Sequence, residues 1–215
     1  MTTIAVFGGT GYTGGNIVRE AASRGGLSVL SVSRSQSATP PRGVATIAGS
    51  LPDVAESVVG KADVIVAALS PRGDSAGKLL GYYQRLATLA AAGGKRLIAI
   101  GGFSSLRPAP DAPRFAEGEL PPELGNFKQE VLEMNGILGW LQNEAPESLD
   151  WLFVSPAETY VSFNPGQTLG RYRIGGDVAL RDADGKSEIS GADFALAIVD
   201  EIVAPKHSGH ISVAY

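Results

Sequence analysis

Short apolar runs alternate along this chain with stripes of helical period. The runs fall at residues 4–7, 27–32, 44–48, 62–69, 96–100, 150–154 and 211–214, bounded by Gly, Pro, Ser or charged residues, and predict strands. The stripe Ile17, Val18, Ala21, Ala22 predicts a first helix that Gly25-Gly26 stops near residue 24. Further helices are predicted over 53–59, over 74–92 with Leu79, Tyr83, Leu86 and Ala90 on one face, and through Phe127, Val131, Met134, Leu138 and Leu141. Gly136 and Gly139 weaken this last helix, a cost that close packing would explain. A strongly apolar helix covers 193–203, with Pro205 just past its end. The 62–69 run is almost unbroken, as expected of a parallel strand covered on both faces. The alternation predicts an α/β fold, a doubly wound parallel sheet with helices on both faces.

Two stretches depart from the alternation. Residues 106–122 hold five prolines and read as a loop. In 170–189, Tyr172 and Ile174 alternate with Arg171 and Arg173, and Asp184-Gly185 is a turn signal, which predicts a hairpin or short extended insert. One domain spanning 1–215 is expected, with a small substrate region built from about 103–125 and 156–190.

Composition narrows the function classes. With 44% hydrophobic and 19% charged residues in 215, the chain is globular. A net charge of −4 without a basic run gives nucleic acid or an anionic membrane surface nothing to hold. The longest apolar stretch is far short of a membrane span. There is no cysteine, which removes disulfide and thiolate chemistry and fits a reducing compartment. The first strand begins beside Met1 and leaves no room for a signal peptide, so the expected location is cytoplasmic. His207 and His210 have metal-like spacing but no carboxylate cluster beside them, and are expected to be a solvated loop pair with no metal.

The chemistry concentrates at the first strand–helix junction, MTTIAVFGGTGYTGGN. Gly8, Gly11 and Gly14 follow an apolar strand and open a helix, where backbone N–H groups and the helix dipole favour phosphate. The spacing is GxxGxxG in place of GxGxxG, with Thr10 and Thr13 as additional hydroxyl donors, and the context is that of a dinucleotide site. At the end of the second strand, an acid accepts the ribose 2′-OH of NAD, whereas an arginine accommodates the 2′-phosphate of NADP. This chain has Arg34 between Ser33 and Ser35 and no acid, which favours NADP(H) over NAD(H). Leu69-Ser70 and Gly101-Gly102 lie at the carboxyl ends of later strands, where ligands sit in open α/β sheets.

These motifs, with GGTGYTG at 8–14, DWLFVSPAE at 150–158, TLGRYRIGGD at 168–177 and ISGADFALAIVDEIVAPKH at 189–207, resemble the atypical short-chain dehydrogenases/reductases. More narrowly the chain is similar to the NADH-flavin reductase family near the NmrA-like proteins, over nearly its whole length. The resemblance implies a Rossmann domain in which Gly8, Thr10, Gly11, Tyr12, Thr13 and Gly14 contact the pyrophosphate and Arg34 the 2′-phosphate. It implies that Leu69, Ser70, Gly101 and Gly102 line the nicotinamide side, and that Lys128 lies near the nicotinamide ribose. The chain departs from the family at Gly49-Ser50-Leu51, where an acid is usual, and at Ser104-Ser105, where Gly-Ser is usual.

The Tyr-x-x-x-Lys pair of standard short-chain dehydrogenases is missing: Tyr82, Tyr83, Tyr160 and Tyr172 all lack a lysine four residues on. Hydride transfer to a flavin needs no such pair, and leaves the protein positioning and electrostatics. Lys128 and Ser105 are the candidate catalytic side chains, Ser105 as a donor to a substrate carbonyl. Three readings stand at this point: a reductase acting on a flavin (as substrate), quinone or similar small flat acceptor; a non-catalytic NADP(H) sensor of NmrA-like type; and a nucleotide-sugar epimerase or dehydratase. The oligomeric state is open, a homodimer included.

Overall fold

The computed structural model describes residues 1–35, 39–125 and 127–215. Its elements are β1 (Thr2–Phe7), α1 (Tyr12–Ser23), β2 (Leu27–Ser33), β3 (Ala45–Ala48), α2 (Leu51–Val59), β4 (Val64–Ala67), α3 (Leu79–Ala92), β5 (Arg96–Ile100), α4 (Phe127–Asn143), β6 (Asp150–Pro156), β7 (Arg173–Gly175), α5 (Gly191–Val203) and β8 (Gly209–Ala214). The strands form one sheet in the order β3-β2-β1-β4-β5-β6-β8-β7. Every neighbouring pair is parallel except β7 with β8. This is the doubly wound α/β sheet that the alternation predicts. The winding reverses between β1 and β4, which leaves a crevice above their carboxyl ends.

Successive strand residues point to opposite faces, so each apolar run feeds two cores. Ile4, Val6, Ile98 and Val154 meet Ile17 and Val18 of α1 and Phe194 and Ile198 of α5. Ala5, Phe7, Ile65, Leu97 and Phe153 meet α2, α3 and α4 through Ala55, Val58, Leu79, Tyr83, Leu86, Ile137 and Leu138. Tyr83 is fully buried, and its hydroxyl donates to Ala67 O at 2.9 Å and Ile100 O at 3.3 Å. It thereby ties the carboxyl ends of β4 and β5 together beneath the crevice.

The structure differs from the sequence expectations in several places. β4 is four residues long, not eight: it spans Val64–Ala67, and Asp63 just before it accepts the Thr3 N–H at 2.8 Å. α3 begins at Leu79 instead of residue 74; a 3₁₀ turn over Gly73–Ser75 and a positive φ of 74° at Gly77 interrupt it. The α3 start is capped from α4, where Glu133 accepts from Gly77 N–H at 2.8 Å and Leu79 N–H at 3.2 Å.

The 170–189 stretch is not a hairpin. Only Arg173–Gly175 is a strand, and its partner is β8. The segment after it turns instead to Arg107, whose N–H donates to Asp177 O at 2.8 Å. In α4 the apolar stripe buries Met134, Ile137, Leu138 and Leu141, but Phe127 is 53% exposed. A Cβ on Gly136 or Gly139 would meet nothing within 4 Å, so close packing does not explain these glycines.

The two histidines are not a solvated pair either. His207 Nδ1 lies 2.6 Å from the buried Glu201, whereas His210 sits in β8 with Nε2 at 2.9 Å from Ser155 Oγ. Burial works against ionisation of Glu201, but His207 and the N–H groups of Lys206 and His207 outweigh it and hold the carboxyl below its ordinary range.

Candidate functional site

The β1–α1 loop is a turn whose glycines do different work. Gly8 takes φ +85°, and a side chain there would collide with Ala68 O at the end of β4. Its N–H and that of Gly9 both donate to Val32 O, at 2.9 and 3.1 Å, which pins the loop to β2. A Cβ on Gly9 would run into Ser31, and one on Gly14 into Gly8 O. Gly11 is another matter. It is exposed, and within 4 Å a Cβ there would meet only Gly8 O, at 3.2 Å. Gly11 is also the N-cap of α1 and brings no capping side chain, so the helix presents its first-turn N–H groups uncapped. Closed packing at Gly8, Gly9 and Gly14, with an open cradle at Gly11, is what a pyrophosphate needs to reach a helix N-terminus.

The neighbouring side chains are placed as follows. Thr10 is exposed at the apex. Thr13 Oγ1 lies 2.9 Å from Tyr160 Oη, so its hydroxyl is shared with the segment after β6. Tyr160 also packs its ring against Tyr12 at 5.3 Å and Phe194 at 4.9 Å. Burial pushes the Tyr160 phenol pKa well above its usual value, outweighing the Thr13 hydrogen bond, so it stays protonated at neutral pH. Tyr12 Oη is buried at the α1–α5 contact, where a Cβ on Gly191 would stand 2.7 Å from it.

Arg34 leaves the end of β2 exposed to solvent. Its Nη1 would lie 3.7 Å from a Cβ on Gly73, so the guanidinium reaches toward the loop that follows β4. No carboxylate lies within 4.0 Å of it among the described residues. Ser33 Oγ is already engaged, donating to Ser35 O at 2.6 Å.

Leu69 is half-buried and Ser70 exposed beyond the end of β4. Beyond β5 the two glycines divide their roles: a side chain on Gly101 would overlap the Phe153 ring, whereas one on Gly102 would meet only Ser104 Oγ at 3.8 Å. The two candidate catalytic side chains differ in exposure. Lys128 is exposed on the first turn of α4. Ser105 is 0% exposed, its Oγ without a partner and its carbonyl accepting from Arg114 Nη1 at 2.7 Å. Nearer the β4 loop, Glu130 stands 3.9 Å from Arg72, and burial raises its pKa against that positive charge.

Sequence reasoning passed over Gly9 and Arg114, weighed Tyr160 only for a partner lysine, and read His210 as half of a solvated loop pair. The double glycine at 8–9 was a usable signal; the other three depend on contacts between distant segments.

The glycine loop, the uncapped helix start and the crevice at the winding reversal fit a dinucleotide. The sequence profile of the NAD(P)H-binding family matches residues 8–205. The chain is 28% identical over 218 residues to the uncharacterized protein YwnB of Bacillus subtilis, covering 95% of this chain and 93% of that protein. Among solved structures it is similar to a Streptococcus pneumoniae protein with a provisional NADH-flavin reductase name, at 25% identity and a TM-score of 0.83, over 100% of this chain and 99% of that one. A Burkholderia pseudomallei protein provisionally named as exported is 32% identical, with a TM-score of 0.83 and full coverage of both chains. No helix among the described residues is long and apolar enough to cross a membrane. From its loop geometry to its full-length match, the chain belongs to the NAD(P)H-binding family.

Proposed function

We propose that the protein is a reductase that passes a hydride from NADPH to a flat acceptor such as a flavin or quinone. The observation that carries the reading is the pairing of the open Gly11 cradle with Arg34, a guanidinium at the β2 end with no carboxylate partner among the described residues. The first-turn N–H groups of α1 hold the pyrophosphate, and Arg34 holds the 2′-phosphate through charge-assisted hydrogen bonds. Reduced nicotinamide, when bound, supplies the hydride. Leu69, Ser70 and Gly102 shape the space beside it, and Tyr83 keeps the β4 and β5 ends that carry them at a set spacing. Among the residues placed at the crevice none is a proton relay of the tyrosine–lysine kind, since Tyr160 is held neutral against Thr13. That suits an acceptor whose ring takes hydride directly, with the protein contributing alignment. The NADH-flavin reductase name carried by the Streptococcus pneumoniae neighbour supports the same acceptor class.

A second reading, a sensor that binds NADP(H) without turning it over, is favoured by the burial of Ser105, which leaves that hydroxyl unable to touch a substrate. The deciding experiment follows NADPH oxidation, with NADH in parallel, against FMN, riboflavin and small quinones. Turnover preferring NADPH is the expected result. Tight NADPH binding with no turnover on any acceptor would overturn the reductase reading in favour of the sensor.

A further inference from the structure

We propose that Phe103 and Phe115 form the surface on which the acceptor ring rests, and that Arg114 is the positioning residue that holds this pair in place. The proposal rests on the reductase reading and names its acceptor side. Phe103 follows Gly101-Gly102 directly at the carboxyl end of β5. Phe115 comes from the proline-rich loop and is drawn back to the same end by its N–H, which donates to Leu106 O at 2.9 Å. The two rings stack with centroids 4.8 Å apart and planes 25° apart, and both remain partly exposed. A partly exposed aromatic pair beside the strand end can extend its stack to a further planar π system, and flavins and quinones are such systems.

Arg114, the residue before Phe115, is 5% exposed and tied on every side. Its guanidinium donates to Ser105 O at 2.7 Å, Asp177 Oδ2 at 3.3 Å and His210 Nδ1 at 3.3 Å, and its backbone N–H donates to Glu117 at 2.8 Å. One side chain therefore joins both aromatic segments to the 177 segment and to β8. Arg107 also spends its charge on Asp177, at 2.8 Å. Both arginines beside the pair are thus engaged with Asp177, so neither adds a dedicated grip on a phosphate tail.

The test is titration of NADP⁺-loaded protein, which cannot reduce the flavin, with riboflavin and with FMN, read by quenching of flavin fluorescence, with NADPH affinity measured separately as the check on folding. The two flavins are expected to bind within about threefold of each other, and Phe103→Leu to weaken both by roughly five- to tenfold, while Phe103→Tyr retains binding. Arg114→Gln is expected to raise the flavin KM with kcat held, whereas general loss of structure would lower kcat as well. Flavin affinity unchanged in Phe103→Leu, no quenching by either flavin, or binding of FMN without riboflavin would each overturn the platform. The two readings separate cleanly. NADPH oxidation whose KM ignores Phe103→Leu overturns the platform and leaves the reductase standing; flavin binding through Phe103 without oxidation does the reverse.

Discussion

Arg114 Nη1 lies 3.3 Å from His210 Nδ1, a cation facing a histidine nitrogen inside the sheet, while Ser155 Oγ lies 2.9 Å from Nε2. Arginine can only donate, so Nδ1 accepts and Nε2–H donates to Ser155, which requires a neutral ring. Burial, reinforced by the positive charges of Arg114 and Arg107 and opposed by Asp177, pushes the His210 pKa down from 6.5 to about 4. Between those two values the unfolded chain takes up a proton that the native state refuses. Stability therefore falls as pH drops from 6.5 toward 4 and is unaffected by this residue above 6.5. The full effect is on the order of 3 kcal/mol. Denaturant unfolding from pH 7 to about pH 5 should show this slope, and His210→Gln should remove most of it. An identical slope in the variant would refute the assignment. The depressed carboxyls of Asp177 and Glu201 add their own loss only at lower pH.

Gly11 and Gly14 should fail in opposite ways. A Cβ on Gly14 would collide with Gly8 O and lie 2.7 Å from Gly8 C, both backbone atoms that cannot yield cheaply. Gly14→Ala should cost about 1–3 kcal/mol in unfolding. Gly11→Val meets only Gly8 O, at 3.2 Å from its Cβ, so it should cost less in unfolding than Gly14→Ala, while it fills the cradle and NADPH and NADH binding are both lost. Retained cofactor affinity in Gly11→Val would make the loop a structural turn alone.

Arg34→Asp should separate the two cofactors. It replaces a phosphate partner with a repelling charge, so NADPH affinity should fall by roughly 10- to 100-fold and NADH affinity far less. Titration of both cofactors into both proteins measures this, and equal losses would remove the reason to prefer NADP.

Gly136 and Gly139 are interior positions of α4 whose missing side chains would meet open space. Alanine at either should stabilise by about 0.5–1 kcal/mol, since glycine's extra freedom in the unfolded chain is removed at no steric cost. Thermal unfolding of the single and double variants checks this, and a destabilised double variant would show that α4 needs its flexibility.

The strand–loop–helix start at residues 2–23 was legible in the sequence because everything that defines it is local: an apolar run, glycines at a fixed spacing, and a helical stripe. The doubly wound sheet followed for the same reason, since alternation of elements restricts topology severely. Period-two alternation, however, says that Arg173–Gly175 is extended without naming its neighbour, and only folding pairs it with β8. The divided duties of Gly101 and Gly102, the Thr13–Tyr160 contact, and the neutral His210 beside Arg114 likewise join segments 52 to 147 residues apart, which no local pattern encodes. What the sequence determined by itself was the fold class and the place of the glycine loop between β1 and α1. Tertiary structure alone decided which side chains surround that place, because burial and charge depend on neighbours brought from far along the chain.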